Sequence, residues 1–115
     1  MRNSTPLFQK IYDLYKYYYQ IIDHFPKKSR VVLSVKIEER LIELLEISSK
    51  LEFSSKDSKE MYLKEASTKT DILKILFRFC YDTRIIDQKR YLLIEGSLVE
   101  IGRMIGGWLK NTNRT

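Results

Sequence analysis

Two short basic runs, Lys27-Lys28-Ser29-Arg30 and Lys89-Arg90 with Arg84 just ahead of it, are the residues of this sequence best equipped for chemistry, and that chemistry is the holding of an anion. Lysine and arginine bind polyanions by neutralising phosphate charge, and such contacts dominate the affinity of proteins for nucleic acid. The whole chain leans the same way. Its 115 residues carry 21 Lys and Arg against 15 Asp and Glu, a formal net charge of +6. An excess of that sign favours nucleic acid, an acidic protein face or a membrane surface as partner. Arg78 and Arg103 are second candidates for the same role. Lys36, Arg40, Lys74 and Arg78 are scattered along helix flanks, where some are expected to pair with acids about a turn away, as Lys36 could with Glu39 and Glu43.

Residues that could carry catalysis are sparse. Cys80 is the only cysteine and His24 the only histidine, which rules out an intrachain disulfide and a zinc site built from Cys and His. Cys80 falls on an apolar helical face, where it reads as core filling rather than as a nucleophile. His24 closes a helix, where the dipole favours a cation, and has no partner for a triad. Glu38, Glu39, Glu43 and Glu46 cluster, but a di-metal bundle site needs inward carboxylates and a Glu-x-x-His motif, so a solvated face is the better reading. Gly102-Arg103-Met104-Ile105-Gly106-Gly107 lacks the lysine spacing of a phosphate loop and follows no strand. The expectation is a binding protein, not an enzyme, with no metal and no cofactor.

The elements that must position these bases are helical. With four glycines and two prolines the chain lacks the turn residues of a multi-stranded β fold. Four segments carry helical periodicity. The first runs from Pro6 to His24, with Thr5 as N-cap and a stripe of Phe8, Ile11, Tyr12, Tyr15, Tyr18, Tyr19 and Ile22; Tyr17 points away. Pro26 breaks it. The second runs from Lys27 to Phe53, with Leu33, Ile37, Leu41, Leu44, Leu45, Ser48 and Leu51 on one face. The third, capped by Ser58, runs from Lys59 to Asp82 with Tyr62, Ala66, Leu73, Leu76, Phe77 and Cys80 inward. The fourth, capped by Asp87, runs from Gln88 to Lys110 on Tyr91, Ile94, Leu98, Ile101, Ile105 and Trp108, before a frayed polar tail from Asn111 to Thr115. Residues 1–115 thus read as one domain, an all-α, antiparallel up-down-up-down four-helix bundle. In that topology the first and third turns share an end. Lys27, Lys28, Arg30, Arg84, Lys89 and Arg90 gather there, beside the N-termini of the second and fourth helices, which also favour anions. The same charges would equally serve as a solvated rim.

Two helices carry more apolar surface than one bundle can hide. In the third, Ile72, Leu73, Ile75, Leu76, Phe77, Phe79 and Cys80 together sweep an arc of roughly 200°, against a little over 100° for an ordinary amphipathic helix, and Asp71, Lys74, Arg78 and Asp82 face water. In the second, Val31, Val35 and Ile42 lie opposite the core edge. Surplus apolar faces mark contact surfaces, so Val31, Val35, Ile42, Ile72, Ile75 and Phe79 are expected to form an interface between copies of the chain. Gly102, Gly106 and Gly107 each cost roughly 1 kcal/mol in a helix; they suggest either a close approach by another backbone or fraying of the helix end. No apolar run approaches the roughly 18 residues of a membrane span. Met1-Arg2-Asn3-Ser4-Thr5-Pro6 does not read as a signal peptide, and with a lone cysteine a reducing, cytoplasmic setting is expected.

The sequence resembles the four-helix-bundle accessory proteins of diversity-generating retroelements, the Avd (accessory variability determinant) family, and the related bundles encoded in intervening sequences of bacterial large-subunit ribosomal RNA genes. The resemblance rests on Phe25-Pro26-Lys27, on Lys36-Ile37-Glu38 with Leu44-Leu45-Glu46, on Tyr62-Leu63-Lys64-Glu65-Ala66 and above all on Glu100-Ile101-Gly102-Arg103-Met104-Ile105-Gly106-Gly107-Trp108-Leu109-Lys110. It implies a barrel-like homopentamer with a basic surface that binds RNA or DNA. It also implies docking to a reverse transcriptase, in support of mutagenic copying and without a catalytic centre. A structural or protein-interaction bundle that never meets nucleic acid is the competing reading.

Overall fold

A computed structural model describes residues 5–113. Met1 to Ser4, on which the reading of the chain's start leans, lie outside the described residues, as do Arg114 and Thr115. The elements are α1 (Pro6–Ile21), a 3-10 turn (Ile22–His24), α2 (Lys27–Val31), α3 (Leu33–Leu51), α4 (Lys56–Asp82) and α5 (Gln88–Asn113). Among the described residues there is no strand, and no helix is long and apolar enough to cross a membrane. The four long helices lie side by side in a body of 47 × 25 × 21 Å.

Local chemistry explains most boundaries. Thr5 Oγ1 accepts from the Phe8 amide at 3.1 Å, and Pro6 occupies the first turn, where its missing N–H costs nothing. Asp87 caps α5 by accepting from the Arg90 amide at 2.8 Å. The third long helix starts earlier than its pattern suggests: Ser55, not Ser58, is the cap, accepting from the Ser58 amide at 3.3 Å. The second is not continuous from Lys27 to Phe53. It breaks at Val32 (φ −117°, ψ −56°) and ends at Leu51. Two adjacent β-branched residues, Val31 and Val32, crowd the turn there, and the Ser34 hydroxyl donates to the Arg30 carbonyl at 2.8 Å. The tail expected to fray from Asn111 is helical through Asn113, with Thr112 buried and its hydroxyl donating to the Trp108 carbonyl at 3.0 Å.

The core is built from the expected faces of α3, α4 and α5, but α1 is rotated by about one residue. Leu7, Ile11, Leu14, Tyr18 and Ile21 are buried, whereas Tyr12 and Tyr19 face outward, Phe8 and Ile22 are half-buried, and Tyr17 packs against the core rather than away from it. Two apolar stripes run along α1 one residue apart; the aliphatic one forms the closer packing and takes the interior. Tyr18 is the exception, and it organises one end. Its ring meets Phe25 and Phe77 edge-on, with centroids 5.9 Å and 5.8 Å away, and its hydroxyl donates to the Ser34 carbonyl at 3.0 Å. The C-terminal ends of α1 and α4 and the start of α3 therefore meet at one point, as the up-down-up-down path requires.

Truncation there should be costly. Phe77→Ala is expected to lower unfolding free energy by about 3–5 kcal/mol through the cavity it leaves, and Tyr18→Phe by about 1 kcal/mol through removal of its hydrogen bond; urea denaturation monitored by circular dichroism reads both.

Candidate nucleic-acid interface

The turn after α4 is a Schellman cap with an unusual occupant. The Ile85 amide donates to the Cys80 carbonyl at 2.8 Å and the Arg84 amide to the Tyr81 carbonyl at 3.0 Å. This arrangement forces the residue between Thr83 and Ile85 into the left-handed region, where glycine is the usual choice. Here it is Arg84, at φ 64°. An arginine held at the surface in a conformation that disfavours its Cβ is the kind of local strain that clusters at functional positions.

Around it the structure assembles the basic end that the sequence suggests. Lys27 and Lys28 project from α2, immediately after Pro26; Arg84 stands on the Thr83–Asp87 turn; Lys89 and Arg90 open α5. Lys27, Lys28, Arg84 and Lys89 are exposed and form no ion pair among the described residues. Arg30 is anchored, its Nε donating to the Phe25 carbonyl at 3.1 Å. Arg90 is half-buried and shares Asp87 at 3.5 Å, the same carboxylate that caps its helix. The two second candidates are engaged with acids one turn away. Arg78 Nε reaches both oxygens of Asp82, at 3.0 and 3.2 Å, an embrace that raises the guanidinium's already high pKa; Arg103 lies 3.3 Å from Glu100. Both pairs are solvent-exposed and open to competition from phosphate. Lys36 pairs with Glu39 at 3.7 Å, as its spacing suggests.

The far end is basic too, which the run-by-run reading missed. Lys56 and Lys59 face Trp108, Asn111 and Thr112 across a depression of about 310 Å³. The signal was present in Lys56 and Lys59 at the start of α4, which the antiparallel path returns to the C-terminal end of α5.

The residues expected at an interface between copies stay uncovered by their own chain. Val31, Val35, Ile42, Ile75 and Phe79 are exposed, Val31 at 71% and Ile75 at 68%; Ile72 is half-buried. Val32, Leu92, Leu93 and Val99 join them. The α5 glycines meet no second backbone within the chain: a Cβ on Gly106 or Gly107 would find nothing within 4 Å, and one on Gly102 only Lys74 Nζ at 3.9 Å. Nor does the helix fray there, since α5 runs on to Asn113.

The remaining titratable side chains have structural settings. Glu38 accepts from the Tyr15 hydroxyl at 2.7 Å, and burial together with this carboxylate pushes the phenol up to about 12. Among the described residues no group of His, Cys, Asp and Glu could hold a metal ion. Cys80 is buried at the base of α4, and desolvation pushes its thiol up to about 11, which suppresses the thiolate that nucleophilic chemistry needs.

Two outcomes follow. Arg84→Gly should raise unfolding free energy by about 1 kcal/mol, a few degrees in melting temperature, by relieving the left-handed strain; an unchanged or lower melting point would show that the arginine is comfortable there. Cys80 should resist a thiol reagent at pH 8 until the protein is unfolded. Because the folded thiol holds its proton above the pH at which the unfolded one ionises, stability should fall as pH rises from about 9 towards 11, a fall that is smaller in Cys80→Ala, where the raised phenols of Tyr15 and Tyr18 still contribute above about pH 10.

No curated protein and no solved structure matches this chain. A family does. The sequence model of the bAvd-like family covers residues 7–112, from the first buried leucine of α1 to the last buried threonine of α5, and on that match the chain belongs to the bAvd-like family.

Proposed function

We propose that this protein is a non-catalytic accessory factor of a diversity-generating retroelement. It binds RNA or DNA through its basic end, docks to a reverse transcriptase and supports mutagenic copying of a template. Membership of the bAvd-like family makes the accessory role the first reading. The observation that carries the binding role is the convergence of Lys27, Lys28, Arg84 and Lys89, none in an ion pair among the described residues, on one end of the bundle, with Arg84 kept at φ 64° where glycine would be easier. Four cations beside the N-terminus of α5 suit a phosphate backbone, and they carry no base-reading groups of fixed geometry, so binding is expected to depend on charge more than on sequence.

The proposed assembly is a homo-oligomer, a pentamer by the resemblance. Its support is the aliphatic surface left open on α2, α3, α4 and α5, together with the room for a close helix approach at Gly106 and Gly107. A ring repeats the basic end in every subunit and multiplies its avidity for a long polyanion. The setting proposed is the cytoplasm.

A mobility-shift titration across salt concentrations tests the binding role. Affinity for a generic RNA should fall steeply with salt. Lys28→Glu with Lys89→Glu should weaken it for all sequences alike, and should lower the log–log salt slope by about one for each phosphate no longer neutralised. Affinity that ignores both salt and these substitutions would sink the assignment of the site. Light scattering tests the assembly: a mass of several chains is expected, and a monomer at high concentration overturns it.

A further inference from the structure

The outward stripe of α1 has a different composition from every other uncovered face. Phe8, Tyr12, Tyr15 and Tyr19 follow one another at intervals of four, three and four residues, so they line one side of the helix. None of them is fully buried, although Tyr15 packs partly against the core that α1 supplies from Leu7, Ile11, Leu14, Tyr18 and Ile21. Tyr12 is 38% and Tyr19 68% exposed. The phenyl ring of Phe8 lies nearly parallel to that of Tyr12, 13° apart with centroids at 6.3 Å. Tyr15 is pinned from the side by its 2.7 Å hydrogen bond to Glu38. Tyr12, Tyr15, Lys16 and Tyr19 enclose a shallow depression of about 210 Å³, and Lys16 Nζ stands 5.9 Å from the Tyr12 ring centroid.

The uncovered faces of α2, α3, α4 and α5 are mainly aliphatic (valine, isoleucine and leucine), the material of dry helix packing. The α1 stripe is aromatic, mostly hydroxylated, and holds a cation. A tyrosine face offers π surface for stacking while its hydroxyl stays in water. An aromatic line with a lysine beside it is the chemistry that single-stranded nucleic acid uses: bases stack on the rings and the cation meets the phosphate. Asp13, which accepts from Gln9 Nε2 at 2.9 Å, and Glu38, which accepts from the Tyr15 hydroxyl, keep their negative charge, but neither forms an ion pair with Lys16 among the described residues, so the rings supply most of the contact and Lys16 its cation. Asp23 is exposed beyond the end of the stripe, in the 3-10 turn.

We infer that the Tyr12–Tyr15–Lys16–Tyr19 shelf on α1 is a stacking platform for the unpaired bases of a single-stranded RNA or DNA. This rests on the nucleic-acid role proposed above and adds to it a preference that the basic end cannot supply, since phosphate contacts alone do not separate a single strand from a duplex.

The test uses the full chain with a fluorescent uridine or thymidine homopolymer and, separately, a blunt duplex of equal phosphate number. Tyr12→Leu with Tyr19→Leu keeps the shelf apolar but removes the rings. It should weaken single-strand binding on the order of ten- to a hundredfold, leave duplex binding unchanged, and be rescued by Tyr12→Phe with Tyr19→Phe. Both positions are exposed, and an unchanged melting temperature confirms that the fold is intact. Leucine variants that hold the single strand as tightly as the parent overturn the platform while the basic end stands. A parent that binds neither probe overturns the nucleic-acid role itself. A leucine pair that changes the oligomer's mass instead assigns the shelf to contact between copies and overturns the platform equally.

Discussion

The end of the bundle that gathers the unpaired cations is held by one buried tyrosine. Tyr18 brings a large apolar ring into the space between Phe25 and Phe77 and fixes its only polar atom on the Ser34 carbonyl. A hydroxyl buried without a partner would cost more than its hydrogen bond returns, so the ring can be interior only where α3 presents a carbonyl to it. That contact holds the α1 rotation that helix packing selects, and it ties the turn at Phe25-Pro26 to the C-terminal end of α4. Arg84 is carried on the turn after α4, and Lys27, Lys28 and Lys89 open the helices that follow the two turns. Their convergence is a consequence of core packing, and they remain at the surface because nothing in the interior could neutralise them.

The same logic divides the exterior into surfaces of different kinds. Aliphatic side chains on α2, α3, α4 and α5 are left in water by a core already filled by Ile37, Leu41, Leu73, Phe77, Ile94 and Leu98. Bases occupy both ends of the long axis. Tyrosines line the outside of α1. A lone bundle would have little use for so much open apolar area; the proposed ring of subunits and the proposed nucleic-acid contacts give the aliphatic and the aromatic portions separate uses.

Strain and anchoring also fall where the proposed function needs them. Arg84 sits in a backbone conformation that glycine would adopt more easily, and Arg30 is tied to the Phe25 carbonyl so that its side chain is held near the first turn. By contrast Arg78 and Arg103 are matched with carboxylates on their own helices, exposed pairs that a phosphate would have to displace.

Periodicity and punctuation in the sequence were enough to determine that the chain is four long helices, where Thr5 and Asp87 cap them, which faces of α3, α4 and α5 are apolar, and that Lys27, Lys28, Arg84 and Lys89 fall in or beside the two turns assigned to one end. These are local properties: a 3.6-residue repeat and a side-chain oxygen three residues before an amide act without reference to the rest of the chain. Only the tertiary structure decided which of two adjacent stripes α1 buries, because Leu7-Ile11-Leu14 and Phe8-Tyr12-Tyr15 are both apolar and differ by a rotation that only the shape of the facing helices can choose. It also decided the break at Val32, where crowding competes with a hydroxyl from the next turn, and the meeting of Lys56 and Lys59 with Trp108, residues far apart in sequence that only the antiparallel path makes neighbours. The left-handed backbone at Arg84 belongs to this second group: its side chain announces charge, and only the closing of the α4 cap onto Cys80 shows what conformation the arginine must bear.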